Sequence, residues 1–224
     1  MFKSLKNFFK GKDFLTQVFE DFQNMLNSSQ SMFNIVCGVL LRDEQHDSLK
    51  EKIYAIDKNI NEKEKEIRKR VIEHLALQPS IDISTCLILM SVVKDAERLG
   101  DYCKNLYTIT TMVEGKFNAK RYREIFNEAD VEINEIYELA KKAFLESDES
   151  QAVSSWHYER KIAKLCDKII TTIAHSDWPV NEAVYFTLMA RYYKRIVAHL
   201  TNISTSVILP VSELDYFDED RENI

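Results

Sequence analysis

The chain has 224 residues, 45% hydrophobic and 29% charged, the balance of a soluble globular protein. A formal net charge of -6 and a pI near 5.5 exclude a nucleic-acid binder that relies on a basic surface. Four glycines and three prolines leave little material for tight turns, which favours long helices over a many-stranded sheet.

In chain order, residues 1–12 interleave Phe2, Phe8 and Phe9 with Lys3, Lys6 and Lys10 and lack the continuous apolar core of a signal peptide. A packed or frayed helix end is expected there, with contact to a membrane surface as the alternative. Six helical segments follow. The first runs from Asp13 to about Arg42, and the second from an Asp47 or Ser48 cap to about Leu77. Pro79 and Ser80 break the chain, and Asp82 or Ser84 opens a third helix ending near Gly115. Asn118 caps a fourth, to about Glu146, and Asp148 and Ser150 open a fifth, to about His175. Asp177 caps a sixth, with Pro179 in its first turn, and Pro210 ends it. The tail, residues 212–224, carries six acidic side chains and reads as a solvated, mobile end.

Periodicity supports these segments. In the fourth, Tyr122, Phe126, Ala129, Ile133, Ile136, Ala140 and Ala143 step by alternating four and three residues. In the second, Ile53, Ile56, Ile60, Ile67, Val71 and Leu75 do nearly the same. One apolar stripe per helix is the pattern of antiparallel bundle packing. The apolar runs 35–41 and 86–93 are too short to span a bilayer. Cys37, Cys86, Cys103 and Cys166 are far apart and lie in apolar helical stretches, so buried reduced thiols of a cytoplasmic protein are expected rather than disulfides or zinc ligands.

An internal repeat decides the fold class. Arg98, Leu99 and Asn105 of the third helix are matched by Arg195, Ile196 and Asn202 of the sixth. A proline joint precedes each, at Pro79 and Pro179. Before each joint lies a long helix in which Ile60, Ile67 and Val71 are echoed by Ile162, Ile169 and Ile173. The expectation is an all-α protein of two tandem three-helix bundles, six long antiparallel helices in all. The first repeat spans residues 1–116, the second 117–211, and the acidic tail 212–224.

Glu97 and Asp101 lie four residues apart and share a helix face, nearly opposite the stripe Leu99, Tyr102, Leu106, Ile109 and Val113. They therefore face outward or into a groove. On the second helix Asp57, Asn61 and Glu64 flank the apolar stripe, where they can meet a neighbouring helix. Two such acidic sets on adjacent helices make a candidate all-oxygen site for a divalent cation. The ordinary reading of carboxylates at this spacing is a solvated helix face. Arg98 and Arg195 read as inter-helix salt bridges, Asn105 and Asn202 as polar bridges at the bundle interface, and His199 as structural. Trp156, Trp178 and the aromatic cluster 185–193 read as packing. No G-x-S-x-G, P-loop, G-x-G-x-x-G or H-E-x-x-H motif is present, and no histidine has Glu three residues before it, so an enzyme is not expected.

The stretch Asp95-Ala-Glu-Arg-Leu-Gly-Asp-Tyr-x-x-Asn105 resembles the signature helix of the PhoU family, D-L-E-R-I-G-D-x-A-x-N-I. Ala190-Arg-Tyr-x-x-Arg-Ile-x-x-His-x-Thr-Asn202-Ile looks like its second copy, and Asp57-Lys-Asn-Ile-Asn-Glu-Lys-Glu-Lys-Glu-Ile67 is similar to the family's D-x-x-I-D-x-L-E-x-E-I helix. The resemblance covers about residues 13–210. With a plain helical scaffold of decayed metal sites or a metal-dependent phosphohydrolase as the alternative readings, it implies a non-enzymatic, cytoplasmic regulator of phosphate uptake and phosphate-starvation signalling. Such a protein contacts a phosphate transporter or its sensor histidine kinase, with peripheral membrane contact only, no nucleic acid, and homodimerisation among its options. It also implies an iron, zinc or other divalent site in the first repeat, at Asp57, Asn61, Glu64, Glu97 and Asp101. Here the sequence departs from the family pattern. Asn61 stands where the family usually has Asp. In the second repeat Lys194, Ala198 and Ala163 replace ligand positions, with Glu159 the remaining carboxylate. An ammonium repels a cation and offers no lone pair, so any ion is expected in the first repeat and not the second.

Overall fold

Each apolar stripe meets another, and the result is helix packed on helix throughout the described residues. The structure, a computed structural model, describes residues 13–44, 47–77 and 82–216. The N-terminal Phe/Lys stretch, the Pro79 joint and tail residues 217–224 lie outside that set. Seven helices are formed there: α1 Asp13–Arg42, α2 Leu49–Leu77, α3 Ile83–Met112, α4 Ala119–Phe126, α5 Ala129–Glu146, α6 Glu149–Ala174 and α7 Val180–Thr205, followed by a 3-10 turn, Val211–Glu213.

The fourth segment buries the whole stripe the sequence marks, and the second buries all of it but Ile56 and Leu75, which are half-buried against the core. Ile53, Ile60, Ile67 and Val71 are buried in α2, and Tyr122 through Ala143 are buried at all seven marked positions. The fourth segment nevertheless divides into α4 and α5. Asn127 takes φ 55°, a conformation Asn tolerates better than most residues. Arg123 bridges the break, donating to the Asn127 carbonyl at 3.1 Å and to Asp130 Oδ1 at 2.7 Å. Tyr122 closes it from inside, its hydroxyl donating to Asp130 Oδ1 at 3.1 Å and accepting from the Asp130 amide at 3.2 Å. The stripe stays in phase across the break, so periodicity alone does not reveal it.

Two of the expected caps form as read: the Asn118 side chain accepts from the Arg121 amide at 3.0 Å, and Asp148 accepts from the amides of Ser150 and Gln151. Others differ. Pro179 is the N-cap of α7 rather than a first-turn residue, and Asp82 is the N-cap of α3, as read, but in the left-handed region and without a side-chain capping hydrogen bond. The start of the tail is docked instead of loose: Leu214 is buried and Asp215 lies 3.6 Å from Lys94.

Helices α1, α2 and α3 form one bundle, and α4 to α7 form the other, with α5, α6 and α7 as its three long helices. The bundles join through α3 on α7 and α1 on α5. Asp95 meets His199 while Tyr102 meets Tyr192 and Arg195, so α3 and α7 run antiparallel across the junction. Aromatic contacts continue the core through it: Phe33 lies 5.7 Å from Tyr193 and Phe22 4.7 Å from Phe144, ring centre to ring centre. Central position explains why α3 is apolar beyond its expected stripe, with Val92, Val93, Ala96 and Cys103 also buried.

Candidate functional site: the α2–α3 groove

Gly100 sets how closely α3 approaches α2. A methyl group at its Cα would stand 3.0 Å from Ile60 Cδ1 and 3.6 Å from Asp57 Oδ1, so the bare glycine lets the two helices close on the residues that matter. Asp57 is buried there with 6% exposure, while Asn61, Glu64, Glu97 and Asp101 are half-buried along the same seam. The structure thus brings the acidic residues of α2 and α3 into one neighbourhood. Burial raises the Glu97 carboxyl above its ordinary value, and the negative charges of Asp101, Glu64 and Asp57 raise it further, with Arg98 opposing them.

The groove is not purely acidic. The Lys104 ammonium donates to Asp57 Oδ2 at 2.7 Å and to Asp101 Oδ1 at 3.1 Å. Arg98 donates to Asp101 Oδ2 at 2.9 Å and lies 3.6 Å from Glu97. Arg68 holds Glu64 at 2.8 Å. Burial alone lowers the Lys104 amine, but its bonds to Asp57 and Asp101 outweigh that and leave it raised, hence charged. Two buried oxygens, Asp57 Oδ1 and Asn61 Oδ1, find no hydrogen-bond partner among the described residues. As arranged, these residues do not fit a resident divalent ion. Among the described residues no three His, Cys, Asp or Glu side chains are placed to share one, and an ammonium stands between the two aspartates that face each other across the groove. Sequence reasoning missed Lys104, although it lies three residues after Asp101 on the same helix face.

The corresponding groove between α6 and α7 is different. Lys194 reaches Asp167 at 2.6 and 2.7 Å, and Glu159 is buried. Arg98 and Arg195 are not the inter-helix salt bridges expected of them. Arg98 binds carboxylates of its own helix, and Arg195 crosses to the other bundle, donating to the Tyr102 hydroxyl at 3.1 Å with its guanidinium over the ring. His199 is structural, as read: its Nδ1 lies 2.7 Å from Asp95 Oδ1 and its ring stacks on Tyr102. Asn202 adds a longer bond to the same oxygen, 3.4 Å.

Neither groove contains an activated thiol. All four cysteines are buried and free, and burial pushes Cys86 up to about 11 and Cys103 and Cys166 up to about 12, so none is a thiolate at neutral pH. No helix among the described residues is long and apolar enough to cross a membrane.

Comparison with known proteins agrees with this architecture. The PhoU domain model matches twice, over residues 22–110 and 121–207, one copy per bundle. The chain is 23% identical over 173 residues to a phosphate-specific transport system accessory protein PhoU homolog of Clostridium acetobutylicum, covering 74% of this chain and 78% of that one. Its fold is similar to the crystal structure of PhoU from Pseudomonas aeruginosa (TM-score 0.73, 20% identity, 87% of this chain and 95% of that one). It is similar again to the phosphate transport system regulatory protein PhoU from Streptococcus pneumoniae (TM-score 0.71, 18% identity, 91% and 97%). Two matched domains that together span most of the residues, each seated on one of the two bundles, establish that the chain belongs to the PhoU family.

Proposed function

We propose that this protein regulates phosphate transport as a non-enzymatic adaptor on the cytoplasmic side of the membrane, acting through contact with a phosphate transporter or its sensor histidine kinase. The observation that carries the reading is the tandem PhoU match, one copy on each bundle. The Clostridium relative, described as an accessory protein of a phosphate-specific transport system, supplies the process. A continuous helical core joining both bundles provides a rigid body on which a partner can dock without folding cost.

The test is genetic and physical together. Deletion of the gene is expected to switch on phosphate-starvation genes or alter phosphate uptake in phosphate-rich medium. The tagged protein is expected to co-purify from detergent extracts with a phosphate transporter or its kinase. Normal phosphate responses in a deletion strain with no second copy, together with no such co-purification, would overturn the reading.

A further inference from the structure

We infer that Lys104 is a built-in cation of the first repeat: its ammonium bridges Asp57 on α2 and Asp101 on α3, and the groove in consequence takes no divalent metal ion. The bridging position is defined by two short contacts, 2.7 Å to Asp57 Oδ2 and 3.1 Å to Asp101 Oδ1, one on each helix. Four carboxylates, those of Asp57, Glu64, Glu97 and Asp101, meet three basic side chains, those of Arg68, Arg98 and Lys104. The groove is therefore close to neutral before any ion arrives, and the Coulomb attraction a divalent ion needs is largely spent.

Attachment to α3 matters as much as charge. A cation tethered beside its anions competes at an effective concentration on the order of millimolar, which free transition-metal ions must outbid. In the second repeat a lysine stands at a ligand position itself, and Lys194 from α7 pairs with the exposed Asp167 of α6. What Lys104 leaves unused shows what it holds off. Asp57 Oδ1 and Asn61 Oδ1 are buried oxygens without a hydrogen-bond partner among the described residues. With the ammonium removed, Asp57 Oδ2 and Asp101 Oδ1 lose the cation they share, and with the unpartnered Asp57 Oδ1 and Asn61 Oδ1 they are the oxygens a manganese or magnesium ion would draw on once the side chains move to meet it.

The experiment titrates the full-length protein, stripped of metal, with Mn(II), Zn(II) and Fe(II), reading bound ion by equilibrium dialysis and elemental analysis. The unmodified chain is expected to show no saturable site below about 1 mM. Lys104→Met is expected to gain one Mn(II) site at least about tenfold tighter than anything in the unmodified chain. Asp57→Asn added to Lys104→Met is expected to abolish that gain. If Lys104→Met does not fold, Lys104→Gln removes the charge with a polar side chain and serves in its place. Saturable binding by the unmodified protein that is lost on Asp57→Asn overturns the inference. So does a folded, uncharged Lys104 variant that acquires no site.

Discussion

The α2–α3 groove and the α6–α7 groove are built on equivalent helices and carry different charges. Ile60, Ile67 and Val71 are buried as Ile162, Ile169 and Ile173 are, and Leu99 is buried as Ile196 is. Toward the grooves, the first repeat places four carboxylates among three basic side chains, while the second places Lys194 on Asp167. The apolar positions shared by both repeats set the backbone, and the polar positions between them were free to diverge. The same separation appears at the junction, where Arg98 stays on its own helix and Arg195 reaches across to Tyr102.

If the cores are equivalent while the grooves are not, matched core truncations must cost alike. Leu99→Ala and Ile196→Ala each remove a fully buried side chain, and each is expected to destabilise by about 2–5 kcal/mol. Urea unfolding is expected to show one transition for both variants, because the apolar core runs through both bundles. Two separated transitions, or a loss in only one variant, would show that the repeats are energetically independent. A smaller loss is expected at the junction. His199→Leu leaves Asp95, 1% exposed, with only its 3.4 Å contact to Asn202, at a cost of about 1–3 kcal/mol. A neutral outcome in the same assay would mean that the buried pair holds nothing together.

How much of this could be read beforehand depends on the distance between partners. Seven stripe positions from Tyr122 to Ala143 were legible because helical periodicity is a local property. The division of that segment was not, since it depends on Asn127 taking positive φ and on Arg123 and Tyr122 reaching Asp130. That Asp57 and Asp101 come to neighbouring helix faces was legible from their spacing against the apolar stripes, and the family resemblance points to the same pair. Lys104 was locally visible at i+3 from Asp101, yet its bond to Asp57 spans 47 positions, and no single-helix pattern specifies it. The Asp95–His199 pair spans 104 positions and joins the two repeats, so neither motif taken alone points to the other.

Replacing each lysine sharpens the comparison of the grooves directly. Lys104→Met strands a buried aspartate and is expected to cost about 2 kcal/mol. Lys194→Met breaks a pair whose Asp167 side chain is 59% exposed and is expected to cost less than about 1 kcal/mol. Urea midpoints at equal slope measure both. Equal costs would mean that Asp57 finds another partner, and the asymmetry between repeats would then be one of sequence only.

The smallest effect is the most diagnostic of charge, because its sign changes the interpretation. Burial and the fields of Asp101, Glu64 and Asp57 raise the Glu97 carboxyl above 4.5, so the folded chain holds this proton more tightly than the unfolded chain does. The stabilising contribution of the protonated form is complete below 4.5 and is lost as pH rises through the folded value. Ionised Glu97 is thus a burden at neutral pH, and Glu97→Gln is expected to be the more stable chain there, by less than about 1 kcal/mol once solvent screening is allowed for. As pH falls toward 4 the unmodified chain takes up its proton and the two urea midpoints should converge. A Gln variant that is less stable at pH 7 would mean that Arg98, 3.6 Å away, outweighs burial and the three carboxylates at Glu97, so that the ionised form is the one the fold favours.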